Sequence, residues 1–244
     1  MPRKQAGFTL VEIAIVLVII GLLLGGVLKG QELINSAKVK NFATDFRNIP
    51  LFIYGYQDKY KSLPGDDALV DSHLGIALCP TPCVATGAGA RGNGVIDGFW
   101  DSVSSTGNSG EESYRFWQHV RLAGLAAGPT NVLDTNYAPR NADGGLIGIT
   151  SNINSAPYIS GMRGTYLVCS TGILGKYAKQ LDTTLDDGCP STGSVMVIPV
   201  GLAGSTTNNP PVGLIANGAA GVCPAAVGGG IIDDSTSYTV CEGL

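Results

Sequence analysis

The chain has 244 residues, of which 14% are charged, a formal net charge of −4 and a mean hydropathy of +0.22. That length supports a real core in one large domain or two small ones. The acidic balance excludes a general attraction to phosphate backbones, so no nucleic-acid partner is predicted, and the apolar composition points to a membrane segment or extensive subunit contacts.

Residues 1–7 are short, polar and basic through Arg3 and Lys4. From Phe8 to Leu28 the only charge is Glu12. As a helix these 21 residues reach about 31 Å, enough to cross a bilayer core. A cleaved secretory signal fits poorly, because Gly25-Gly26-Val27-Leu28-Lys29 is a poor small-residue cleavage site. A buried soluble helix fits no better, since no other segment could surround it. Arg3 and Lys4 face Lys29, Lys38, Lys40 and Arg47 across the span, so basic residues do not set its orientation. Glu12 is the anomaly: a carboxylate at the centre of a span costs about 2.5–3.5 kcal/mol and calls for a partner or a role. The alternative is that, close to the helix end, it snorkels to the headgroups.

Gly7-Phe8-Thr9-Leu10-Val11-Glu12, after a basic leader and before an apolar helix, resembles the prepilin processing motif. The resemblance implies a leader cut after Gly7 by a prepilin peptidase, an N-methylated Phe8 and a role in assembly for Glu12. Glycine before the cut lets the backbone enter a tight cleft. The new amino group could then be neutralised by Glu12 of a neighbouring subunit, which would fix the register of a filament.

Beyond the span, Phe42, Phe46, Ile49, Ile53, Tyr56 and Tyr60 recur at spacings of three and four, which predicts an amphipathic helix with one core-facing stripe. Pro50 is expected to kink or locally open it. Pro64-Gly65 ends it, and the Leu-Pro-Gly-Asp loop resembles that of a subgroup of pilin-like proteins. The expected organisation is a leader at 1–7, a membrane or filament-core helix at 8–28, an amphipathic continuation at 29–63 and a globular head at 64–244.

Within the head one clear helix is predicted, over 111–127, with strands at 145–149, 165–170, 194–200, 212–216 and 238–241. The order of elements reads as α+β, and the resemblance implies the pilin-like fold: a long N-terminal helix on an antiparallel sheet with a disulfide-bonded C-terminal loop. Cys79, Cys83, Cys169, Cys189, Cys223 and Cys241 lack metal or redox spacing and suggest an oxidising compartment, hence a head outside the cytoplasm. Of the 15 possible pairings, neighbours are the first expectation: 79 with 83, 169 with 189, and 223 with 241. In pilins a loop like the last is an exposed, variable surface suited to adhesion.

Asp66, Asp67, Asn93 and Asp97, with Glu111 and Glu112 as possible neighbours, are weak candidates for calcium; otherwise the glycine-rich 91–98 stretch is a turn. No other cofactor is expected. His73 and His119 are the only histidines and no hydrolase, zinc-protease or P-loop motif occurs, so the chain is read as no enzyme. The expected function is a structural subunit of a type IV pilus, in the inner membrane as precursor and then in an extracellular or periplasmic filament. Its partners would be like subunits, the prepilin peptidase and the inner-membrane assembly machinery. The alternatives are a pseudopilin of a type II secretion or DNA-uptake system and a tethered domain that never polymerises, which Glu12 disfavours.

Overall fold

The computed structural model describes residues 10–75, 91–102, 111–151, 159–200, 215–216 and 230–244. Its first element, α1, runs from Leu10 to Tyr60, 51 residues or about 77 Å. Val39, Phe42, Ala43, Phe46, Ile49, Ile53 and Tyr56 are buried, the stripe expected from periodicity, while Tyr60 is half-buried. Pro50 has no N–H for the carbonyl one turn back, yet the helix continues through it. Phe46, Ile49 and Ile53 on either side are locked in the core, so packing outweighs the missing bond and the expected opening is not seen.

The second helix, α2, spans Glu112–Leu122 and is shorter than predicted. Gly124, at φ +77°, ends it: its N–H bonds to the Arg121 carbonyl and the Leu125 N–H to that of Val120. This Schellman stop needs a residue that tolerates the left-handed region. A further helix, α3 at Gly175–Leu185, corrects the expectation of a single clear helix in the head. It packs on α1 through Tyr177, Ala178 and Leu181, with the Tyr177 ring 6.2 Å from that of Phe42. The hydroxyls of Thr183 and Thr184 donate to the carbonyls of Lys179 and Gln180, which settles two poor helix formers in the last turns.

Four strands, β1 (Ile147–Ser151), β2 (Tyr166–Leu174), β3 (Val195–Pro199) and β6 (Ser237–Gly243), form an antiparallel sheet in the order β1-β2-β6-β3. Two residues of the expected 212–216 strand, β4 (Ile215–Ala216), pair in parallel with β5 (Ile231–Ile232), which was not anticipated; positions 212–214 lie outside the described residues. Alternation divides the sheet: Val168, Val195, Val197 and Val240 join α1, α2 and α3 in the main core, while Leu167, Cys169, Met196, Ile198 and Cys241 pack with Trp100, Ile159 and Met162 on the other face. The fold is α+β and pilin-like: a long N-terminal helix laid on an antiparallel sheet.

The cysteine pairing differs from the neighbour scheme. Cys169 bonds Cys241, because β2 and β6 set them directly opposite with Cα atoms 4.1 Å apart. Neither 169 with 189 nor 223 with 241 is therefore formed; α3 intervenes between Cys169 and Cys189. Cys189 is also in a disulfide, and Cys79, Cys83 and Cys223 lie outside the described residues. The C-terminal bridge thus staples two strands rather than closing a surface loop. With a sequence separation of 72 between the two cysteines it contributes about 4 kcal/mol by the chain-entropy estimate. Cys241→Ser should lower the unfolding free energy of the head by about that amount, read from denaturant curves of the detergent-solubilised chain under oxidising conditions.

Candidate functional site

The apolar half of α1 is exposed on every side. Leu10, Val11, Ile13 and every residue from Ile15 to Ile20 lie in the open, as do Leu22, Leu23, Leu24, Val27 and Leu28. Among the described residues it is the one helix long and apolar enough to cross a membrane, and none of its apolar window is buried. An amphipathic helix shows one such stripe; a helix apolar all round belongs in an apolar surrounding. Glu12 lies in its first turn and is exposed. Gly7 and Phe8 lie outside the described residues.

The head takes hold of α1 from Asn35 onward. The Tyr177 hydroxyl donates to Asn35 Oδ1 at 2.8 Å, and Lys38 Nζ meets Asp143 Oδ1 at 2.6 Å. The 25 residues from Leu10 to Ile34 therefore extend roughly 37 Å clear of these contacts.

At the far end of α1 the Leu63-Pro64-Gly65-Asp66-Asp67 turn is buried throughout. Gly65 sits at φ +93°, and a Cβ there would fall 2.5 Å from the Glu112 carbonyl oxygen, so only glycine lets the turn lie against α2. Its N–H donates to His119 Nδ1 at 2.9 Å, which gives that buried histidine a structural duty. Asp67 Oδ2 accepts from the Tyr56 hydroxyl at 2.8 Å and meets His73 Nδ1 at 2.7 Å, while its Oδ1 accepts from Leu69 N–H. Asp66 Oδ1 accepts from the N–H groups of Gly92 and Asn93, and its Oδ2 from Gly94 N–H at 2.7 Å.

Of the residues singled out for calcium, Asp66, Asn93 and Asp97 share one neighbourhood, whereas Asp67 serves Tyr56 and His73. Asn93 Oδ1 accepts from Val95 N–H, and the Asp97 N–H donates to Glu112 Oε2. The side-chain oxygens of Asp66 and Asp67 thus tie the turn after α1 to the 91–98 turn and back to Tyr56, while Gly65 on His119 and Asp97 on Glu112 tie that turn region to α2.

Sequence reasoning did not single out Glu112 as a titrating group. It is 3% exposed, and its Oε1 has no hydrogen-bond partner among the described residues. Burial, with Asp66 and Asp97 alongside, pushes its carboxyl up to about 7 from the ordinary 4.5.

Residues 2–28 match the prokaryotic N-terminal methylation motif, the signature of prepilin-type proteins, which include both pilins and pseudopilins. No curated protein and no solved structure matches the chain. The matched segment takes in the exposed half of α1 from Leu10 to Leu28.

Two outcomes test the anchorage. Tyr56→Phe removes one donor from the buried Asp67 carboxylate and should cost about 1.5–3 kcal/mol of stability by denaturant unfolding. For Glu112 the folded pKa lies above the unfolded one, so its contribution is complete below pH 4.5 and is lost as pH rises through about 7. Unfolding free energy should fall over that window in the wild type relative to Glu112→Gln, which keeps the oxygen that accepts from Asp97.

Proposed function

We propose that this prepilin-type chain is a structural subunit of a type IV pilus, polymerised through the apolar half of α1. The observation that carries the reading is that this half, which the methylation motif takes in as far as Leu28, stands clear of its own head with Glu12 in its first turn. In the proposed sequence the precursor lies in the inner membrane and a prepilin peptidase cuts after Gly7. The new Phe8 amino group, methylated, is cationic at the edge of the apolar helix.

In a helix bundle the surroundings are apolar, so Glu12 is strongly disfavoured unless an opposite charge meets it. The Phe8 amino group of the adjacent subunit supplies that charge in one axial register only, which ties assembly to processing. The assembly machinery then extrudes the bundle, with apolar helices inside and heads outside. A head secured to α1 by buried polar contacts and stapled by a disulfide suits an oxidising exterior.

Intact mass of sheared filaments should give a chain that begins at Phe8 with one added methyl group. Glu12→Gln keeps the size of the side chain and removes its charge. It should leave the amount of chain in the membrane unchanged while filaments seen by electron microscopy fall to a small fraction of wild type. Undiminished filament yield would overturn the assembly role of Glu12, and a mature chain that begins at Met1 would overturn the processing step.

A further inference from the structure

The end of α3 gathers negative charge where a helix tolerates it least. Asp182 lies in the last turn, Asp186 is the C-cap, Asp187 follows, and the last turn holds no basic residue. A helix C-terminus carries unpaired carbonyls and a negative partial charge, which favours lysine or arginine there. Lys179, on the same helix, is engaged by Asp234 at 2.5 Å. Glu242, opposite Val195 in the sheet, adds a further carboxylate that feels the charges of both Asp186 and Arg47.

Asp182 is fully buried, and neither of its carboxylate oxygens has a hydrogen-bond partner among the described residues. Buried polar groups are almost always satisfied, and an isolated buried carboxylate is among the costliest to leave alone. One ligand oxygen from each of Asp182, Asp186 and Asp187 lies within 4.8 Å of the others. Oxygens bound about 2.3–2.6 Å from a single ion occupy such a spread.

The other two acids are held in place from outside the cluster. Asp186 Oδ2 accepts from the N–H groups of Ser194 at 2.5 Å and Val195 at 3.0 Å, where β3 begins. A Cβ at Gly193 would fall 2.0 Å from that oxygen, so glycine there is what lets the carboxylate approach. Asp187 Oδ1 accepts from Cys189 N–H at 2.8 Å. Burial runs from Asp182, fully enclosed, through Asp186 to Asp187, which is exposed and gives an ion its entry path.

We propose that Asp182, Asp186 and Asp187 form a binding site for a divalent cation, calcium, at the junction of α3 with β3. The donors are all oxygen, and Cys189 is in a disulfide, which leaves no thiolate for a softer metal. Carboxylates on a helix end and the loop after it suit the larger, geometrically tolerant calcium better than magnesium, which demands a near-ideal octahedron. Burial, with Asp187 and Asp186 beside it, disfavours a bare charged carboxylate at Asp182, a cost that a bound cation would offset. An ion there would join α3 to edge strand β3 and to the loop that bears Cys189.

The test uses the full chain in detergent, stripped with a chelator and titrated with calcium chloride by calorimetry, with thermal unfolding in parallel. One saturable site is expected, with a dissociation constant of about 10⁻⁴ to 10⁻³ M as in extracellular calcium modules, and Tm should rise as it fills. Asp187→Asn, at an exposed position that does not threaten folding, should weaken binding by about tenfold or more. Asp182→Asn should abolish the calcium-dependent rise in Tm while melting no lower than wild type in chelator. Absence of saturable binding in that range, binding unchanged in Asp187→Asn, or magnesium bound as tightly as calcium would each overturn the assignment.

Discussion

A single unbroken helix has to live in two solvents. From Leu10 to Leu28 it offers apolar side chains in every direction, and from Val39 to Tyr56 it buries one stripe in its own head. Because α1 is continuous, the direction of the exposed half is set by how firmly the other half is held. Everything in the head that grips α1 therefore also aims the segment that emerges from it.

That grip is polar as much as apolar. The stripe of Phe42, Phe46, Ile49 and Ile53 supplies area, which favours burial but defines rotation about the axis only loosely. Tyr56 on Asp67, Asn35 on Tyr177 and Lys38 on Asp143 are directional and lie near the two ends of the buried half. Slippage of α1 by one residue would break all three and strand the Asp67 carboxylate without its tyrosine donor, so register is guarded where hydrophobic contact alone would leave it loose.

Much of the architecture was legible because it rests on local periodicity. The three-and-four spacing from Phe42 to Tyr56 and the apolar runs of β2, β3 and β6 announce themselves along the chain. The missed helix α3 begins at Gly175, carries two threonines in its last turn and has an acid on its buried side, so propensity and pattern disagreed and its contact with α1 decided the matter. The disulfide was out of reach for a different reason. Cys169 meets Cys241 because β6 inserts beside β2, a fact of strand order that no sequence spacing encodes. At the candidate site the motif from Gly7 to Glu12 could be read directly. The acids at 66 and 67 drew attention as ligands, yet in the fold their oxygens are met by N–H and O–H donors that come from residues as far away as Gly94.

The position of β6 sets an order of events. This strand comes last among the described elements, yet it lies between β2 and β3 and bonds to both. Until residues 237–243 have been delivered, the sheet is no more than the β1–β2 pair, and β3 has no neighbour in it. Cys169 likewise has no thiol opposite it. The head must therefore hold an open, unpaired slot while the intervening chain is still being supplied. Maturation becomes a late, long-range closure rather than a progressive zipping from the helix outward, and the oxidant has to be at hand when that slot fills.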